Sequence, residues 1–479
     1  MPVIARHWIA GQWVESADGS VATSNNPSSG ACLGSFADGK AADATIAINA
    51  ARICFEESAW AHQPRVRAQV LLDFADQLEA AKSDLAVALA RENGKLLGEA
   101  GHEIVGAISE CRYYAGLARN IFGRVTEVDQ GQFSMLAREP MGVAGIIVPW
   151  NAPITLLIRS LAPAIAAGCT SVTKVAPETA LVNAMVFELL ADVEGIPPGA
   201  INMLAETGSE VAKLLVDSQE VDVISYTGST QVGKLIMAAA ASTLKRVNLE
   251  LGGSAPCVVF ADADLDQAVA GITRAAMAHA GQVCVAASRV MAEQSIAVKL
   301  QNRLTDSLTR LKLGAADSSN SQLGPLIDDR SVERMTGLID ASRDVGELLL
   351  AGQRVGGELA QGSFVSPSLV RVADSGSEFL QQEIFGPMLT VDTFNDEDDA
   401  VEKANNSRFG LAASVWTADL QRGMRLASRI KSGTVWLNAH LKLHAETETG
   451  GYRESGLGRL HGVEGLNEFL QTKHISWQT

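Results

Sequence analysis

From Pro64 onward, Val66, Val70, Phe74 and Leu78 recur four residues apart, with Leu85 and Leu89 further on. This spacing predicts one face of a long amphipathic helix. A second helix is expected around Glu99 to Ile121. Ahead of them, His7 to Val14 alternates around Gly11-Gln12 and reads as short paired strands. From Met141 the pattern becomes strand, turn, helix, repeated. Strands are expected at Val143–Val148, Thr170–Val175, Ile201–Leu204 and Val221–Tyr226. Helices follow at Ile154–Ala167, Ala180–Asp192, Val211–Val216 and Val232–Ala241. Such repeats build a parallel, doubly wound α/β sheet that binds ligands beyond its C-terminal strand ends.

A second α/β region follows. It comprises strand Pro256–Phe260, helix Leu265–Ala280, strand Ala287–Ala292, helix Ser295–Leu308, a strand near Leu389–Phe394 and a helix near Asp398–Asn405. The weakly alternating, polar segment Gly123–Pro140 suggests a projecting β-ribbon, and Glu468–Trp477 a final strand. No internal repeat or low-complexity linker separates these regions.

Composition narrows the function classes. A chain of 479 residues with 47% hydrophobic and 20% charged residues is globular and long enough for about three domains. Its net charge of −16 and lack of a basic stripe argue against nucleic-acid binding. An anionic cofactor would need a local positive field from lysines or helix N-termini. Six cysteines without a C-x-x-C pair, and eight histidines without H-E-x-x-H spacing, argue against structural zinc, a metal site or a disulfide framework. A reducing cytoplasm is the expected compartment. Met1–Val14 lacks the continuous apolar core of a secretory signal. The longest apolar stretch, Met141–Trp150, is far short of the ~20 residues needed to span a bilayer.

Four segments carry candidate chemistry. Gly228-Ser-Thr-Gln-Val-Gly233-Lys234 lies where a strand turns into a helix, and amides there suit a phosphate. Thr230 breaks the dinucleotide fingerprint and Leu235 breaks the Walker A pattern, so a ligand-free glycine turn stays open. Glu250 stands beside Gly252 and Gly253 at a strand end, where it can face a cleft, although isolated glutamates are mostly solvated. Cys284 lies in His279-Ala-Gly-Gln-Val-Cys284 and is a nucleophile only if its pKa is lowered; a buried structural cysteine is the commoner case. Asn151, between Pro149 and Pro153, is held rigidly enough to donate to an oxyanion, or merely shapes a turn.

Taken in order, these pieces resemble the aldehyde dehydrogenase superfamily over nearly the whole chain. They are PWNAP at 149–153, Lys174 after a strand, YTGSTQVGK at 226–234, LELGG at 249–253, GQVC at 281–284, EIFGP at 383–387 and GGYRESGLGR at 450–459. The resemblance implies an aldehyde dehydrogenase-like α/β fold. Residues 1–122 and 141–252 would form a Rossmann-type cofactor domain, 253–445 a catalytic domain, and 123–140 with 460–479 an oligomerisation arm. It further implies NAD(P)-dependent oxidation of a small aldehyde to its acid, by a homodimer or homotetramer. In that scheme Cys284 attacks the aldehyde, Asn151 and the Cys284 amide hold the oxyanion, and Glu250 activates water against the thioester. Lys174 and Glu383 would contact the two riboses and Ser229 the pyrophosphate, with Trp150, Pro177, Gly208, Gly228, Gly233, Leu251 and Phe385 completing the cofactor site.

The departures from the family pattern bear on specificity. Pro177 stands where NAD-preferring members usually carry a glutamate, with Glu178 one place on, which leaves room for a 2′-phosphate and implies NADP use as well as NAD. Glu206 replaces a glycine before the cofactor loop, while Gly208 is kept. The anchor loop Asn438–Glu446 is unusually charged and offers His440 towards the substrate. Arg159, eight residues after Asn151, resembles the carboxylate anchor of semialdehyde enzymes but occurs also in benzaldehyde-type ones, so an aromatic aldehyde or an ω-carboxy semialdehyde is expected; a packing role for Arg159 is the alternative. Two rivals are a nucleotide hydrolase, opposed by Leu235, and a catalytically silent relative, opposed by the presence of both Cys284 and Glu250.

Overall fold

The computed structural model describes residues 4–372, 374 and 376–479. The expected start of the first domain at Met1 therefore lies outside the described residues. Two large sheets organise the chain. The first has eight strands, in the order Gly456–Leu457, Arg246–Glu250, Val223–Thr227, Val143–Ile147, Thr170–Val175, Ile201–Ala205, His7–Ile9 and Gln12–Val14. Its five central strands run parallel, and the edges at Gly456–Leu457 and His7–Val14 are antiparallel. The central strands are buried on both faces, as parallel sheets covered by helices are. Strand order reverses between Val143–Ile147 and Val223–Thr227, and this switch point opens a crevice at their C-terminal ends.

The second sheet has seven strands, ordered Gly346–Leu350, Ser368–Val372, Met388–Phe394, Ala287–Glu293, Ala255–Val259, Ala412–Trp416 and Thr434–Leu437. Only Gly346–Leu350 is antiparallel to its neighbour. Loops leaving the first sheet at Asn151, Gly228 and Glu250 meet loops entering the second at Cys284 and Glu383, so the site lies between the sheets.

Two helices end earlier than the apolar spacing predicts. The helix expected from Val66 through Leu89 breaks at Ala81 into Pro64–Ala80 and Lys82–Asn93. The break lets the second piece pack on both Leu97–Ala118 and Ala180–Ala191. The helix expected to reach Ala280 stops at Met277, and His279 (φ 46°) and Ala280 (φ 52°) turn left-handed. The polar ribbon is a three-stranded sheet in which Gln132–Pro140 pairs with Arg124–Asp129 on one side and Leu470–Gln478 on the other. Among the described residues, no helix is long and apolar enough to cross a membrane and no cluster of three His, Cys, Asp or Glu could hold a metal.

Candidate active site

Pro153 begins the buried helix Pro153–Ala167, because its missing N–H costs nothing in the first turn. The loop before it is pinned by Asn93, whose side-chain amide donates to the Trp150 and Asn151 carbonyls at 3.2 and 3.5 Å. Asn151 Nδ2 donates to the Gln282 carbonyl at 3.0 Å. One N–H of that amide is thereby fixed, two residues from Cys284, and the second is left for a reacting oxygen.

The loop carrying Cys284 is held from several sides. His279 Nε2 donates to the Asn93 carbonyl at 3.0 Å, and the His279 N–H donates to Glu99 Oε1 at 3.1 Å. Gln282 Nε2 donates to the His279 carbonyl, while its Oε1 accepts from the Ile327 N–H. Burial lowers the His279 pKa to about 3, so this histidine is neutral and structural. Cys284 is half-buried in a small cavity with Gly253, Glu383, Phe385 and Gly386. Burial pushes its thiol up to about 12; Arg159 acts against that rise, whereas Glu383 and Glu250 add to it. The resting sulfur is therefore a thiol and needs a base, or added positive charge, to attack.

Glu250 ends its strand in register with Thr227. It is 4% exposed, and burial raises its pKa to about 7 against the pull of Arg159 and Arg459. A carboxylate tuned close to neutrality is suited to general-base work. Arg159 reaches the same place from helix Pro153–Ala167. Its Nη2 donates to Thr227 Oγ1 at 2.9 Å, and its Nη1 lies 4.0 Å from Glu250 Oε2.

The expected cofactor residues lie at or just beyond the C-terminal ends of the first sheet's strands and on the turn entering Met388–Phe394. Ser229 caps helix Thr230–Ala240, its Oγ accepting from the Val232 N–H at 3.3 Å. Gly228 is held close to Tyr226, where a Cβ would come within 2.2 Å of the phenol oxygen, and Gly233 packs on Leu251. Glu383 Oε1 accepts from the Gly253 N–H at 3.2 Å, and burial raises its pKa to about 7. Phe385, left-handed at φ 50°, meets Trp150 edge to face at 5.7 Å. Arg334 fixes this turn by donating to the Ile384 and Phe385 carbonyls. Lys174 lies beside Leu204 in register, so Glu206, two residues on, comes near it. Burial lowers the Lys174 pKa, with Glu206 and then Glu178 acting against it. Glu206 is itself fixed, accepting from the Val211 and Ala212 N–H groups. Pro177 begins the short helical turn that carries Glu178, and Gly208 stands open, with nothing within 4 Å of a Cβ. An exposed helix start, a glycine cradle and a cation at one end of the crevice fit a dinucleotide.

One substrate expectation is corrected. His440 is 2% exposed and spends both ring nitrogens inside the protein. Its Nε2 donates to the Val285 carbonyl at 2.8 Å and its Nδ1 accepts from Ser414 Oγ at 3.0 Å. It therefore braces the residue after Cys284 and offers nothing to a substrate. Arg159, the other residue expected to meet the substrate, lies beside Glu250 and Thr227. Gln282, Asn93 and Arg334 carry support that spacing did not suggest, although Gln282 lies within the GQVC run.

The chain matches the profile of the Aldehyde dehydrogenase family over residues 13–475. It is 34% identical to a betaine aldehyde dehydrogenase of Bacillus subtilis, over 98% of this chain and 96% of that one. It is 35% identical to retinal dehydrogenase 2 of Gallus gallus, over 98% and 91% of the two chains. A crystal structure of betaine aldehyde dehydrogenase from Staphylococcus aureus in complex with NAD+ superposes with a TM-score of 0.97, at 34% identity and 99% and 95% coverage. With the profile spanning all but the ends of the chain and the fold shared throughout, this enzyme belongs to the aldehyde dehydrogenase family.

Proposed function

We propose that the enzyme oxidises its aldehyde to a free carboxylic acid through a thioester on Cys284. The observation that carries this reading is the Asn151–Gln282 bond, which sets an amide donor two residues from Cys284. Cys284 Sγ bonds to the aldehyde carbon as its proton passes to water, and Glu250, tuned to about 7, acts in the second step. The free N–H of Asn151 and the Cys284 backbone N–H hold the carbonyl oxygen as it gains charge. The bound dinucleotide supplies the acceptor for the hydride that leaves this carbon. Glu250 then takes a proton from water, the water oxygen bonds to the acyl carbon, and the Cys284 thiolate departs with the C–S electron pair.

For the cofactor we infer NAD in preference to NADP. Pro177 supplies no carboxylate, which alone would admit a 2′-phosphate, but Glu178 and Glu206 both bear on Lys174. A phosphate there would meet two carboxylates for one ammonium, and like charges reject it. The substrate is read as an aromatic aldehyde or ω-carboxy semialdehyde whose acceptor oxygen meets Arg159. A buried guanidinium near Cys284 opposes the fixed positive charge of betaine aldehyde, so that relative's substrate is not carried over. We also infer a homodimer or homotetramer, assembled through the ribbon.

Steady-state kinetics with both cofactors across benzaldehyde, 4-carboxybenzaldehyde, succinic semialdehyde and betaine aldehyde test these readings. The expected result is a catalytic efficiency at least about tenfold higher with NAD, equivalent to about 1.4 kcal/mol, and poor turnover of betaine aldehyde. Preference for betaine aldehyde would overturn the role given to Arg159, and preference for NADP would overturn that of the two carboxylates.

A further inference from the structure

Arg159 and Glu250 make an incomplete pair. Both are almost fully buried, at 6% and 4% exposure, yet their closest atoms are 4.0 Å apart, longer than a formed hydrogen bond. Among the described residues, neither Arg159 Nε nor Glu250 Oε1 has a hydrogen-bond partner. Thr227 Oγ1 holds one arm of the guanidinium at 2.9 Å and so fixes its distance from the carboxylate. A salt bridge built only for stability would close this gap, because unsatisfied buried charge is costly. A cation held beside a group that must move and change protonation would leave it open.

Arg459 also favours the Glu250 carboxylate, but less than Arg159 does, and its guanidinium is engaged elsewhere, donating to the Gly451 and Gly458 carbonyls and lying over the Tyr452 ring. Glu468, from the C-terminal segment, opposes ionisation, and the charges of Arg159 and Glu250 both bear on Cys284.

We propose that Arg159 is a positioning residue for the general base, the counter-ion that keeps Glu250 a carboxylate, and that a substrate oxygen binding Arg159 takes it from Glu250. This rests on the reading of Glu250 as the base that releases the acid. Two functions expected of separate residues, reading the substrate and tuning the base, then fall on one guanidinium. A substrate with an anionic tail raises the basicity of Glu250 when it binds, whereas a neutral aldehyde leaves the resting pair in place. Burial opposes ionisation of Glu250, and Arg159 is the strongest influence acting against it.

The test follows acid release from the acyl-enzyme after the burst, as a function of pH. It uses benzaldehyde and 4-carboxybenzaldehyde in the wild type and in the Arg159→Gln, Arg159→Lys and Glu250→Gln variants. Gln keeps a donor for Thr227 without charge, and Lys keeps the charge without the fork. With benzaldehyde, the midpoint of the acid limb should rise by about 1 pH unit or more in Arg159→Gln and stay close to the wild-type value in Arg159→Lys. In the wild type the midpoint should be higher with 4-carboxybenzaldehyde than with benzaldehyde, and Arg159→Gln should close that gap. An unchanged midpoint in Arg159→Gln, or equal rises in both Arg159 variants, would overturn the proposal even if the KM for 4-carboxybenzaldehyde rose. An acid limb that survived intact in Glu250→Gln would instead remove Glu250 as the base, a failure of the underlying reading distinct from that of the counter-ion.

Discussion

A carboxyl group lifted from its ordinary 4.5 to about 7 by burial, as Glu250 is, taxes the fold that contains it. The unfolded chain ionises this group from pH 4.5 upward, while the folded protein keeps it protonated until about 7. Stability is therefore lost as the pH rises through that window and stays lost above it. Glu250→Gln should raise the unfolding free energy at pH 8 by about 1–3 kcal/mol and change it little near pH 4.5. Calorimetry at the two pH values checks this, and equal stabilities at pH 8 would mean that the carboxylate is not desolvated. Cys284, Glu250 and Asn151 were legible in the sequence because each lies in a short motif whose order along the chain is itself informative. The partners of Arg159 and His440 were not. Thr227 and Ser414 lie 68 and 26 residues from them, and only the packed sheets bring these side chains together.

At the scale of elements, three strands of the second sheet, Ser368–Val372, Ala412–Trp416 and Thr434–Leu437, were not read from the sequence. The repeated strands and helices of the first sheet followed from apolar periodicity. The edges did not: Gly456–Leu457 joins Arg246–Glu250 across some two hundred residues, with no turn signal to announce it. The turn before Cys284 was hidden for another reason. Ala275 to Ala280 reads as continuing helix, and contacts from Glu99 and Asn93 force His279 and Ala280 into the left-handed region, where Cβ crowding normally excludes such residues. The ribbon, read from its polar alternation, is an element whose own packing leaves much unfinished. Arg124–Asp129 is exposed throughout, and Val125, Val128 and Trp477 present apolar surface at 58%, 58% and 40% exposure. An exposed sheet edge of this kind invites another chain. Removing residues 470–479 should convert the inferred oligomer into monomers in sedimentation velocity, and an unchanged sedimentation coefficient per assembly would place the interface elsewhere.

At the scale of the whole molecule, the candidate active site belongs to neither sheet alone. The first sheet supplies Asn151 and Glu250 at its C-terminal strand ends, the second supplies Cys284 and Glu383 at its entry loops, and the Asn151–Gln282 and Gly253–Glu383 bonds cross between them. This division suggests a division of labour, with Cys284 needed for the first half-reaction and Glu250 for the second. Rapid mixing of Glu250→Gln with NAD and a good aldehyde measures the two halves in one experiment. The account predicts a burst of reduced cofactor near one equivalent per active site, acyl-enzyme detectable by mass on Cys284, and slow acid release after it. Full-rate acid release in that variant, or the absence of any acyl group on Cys284, would contradict it.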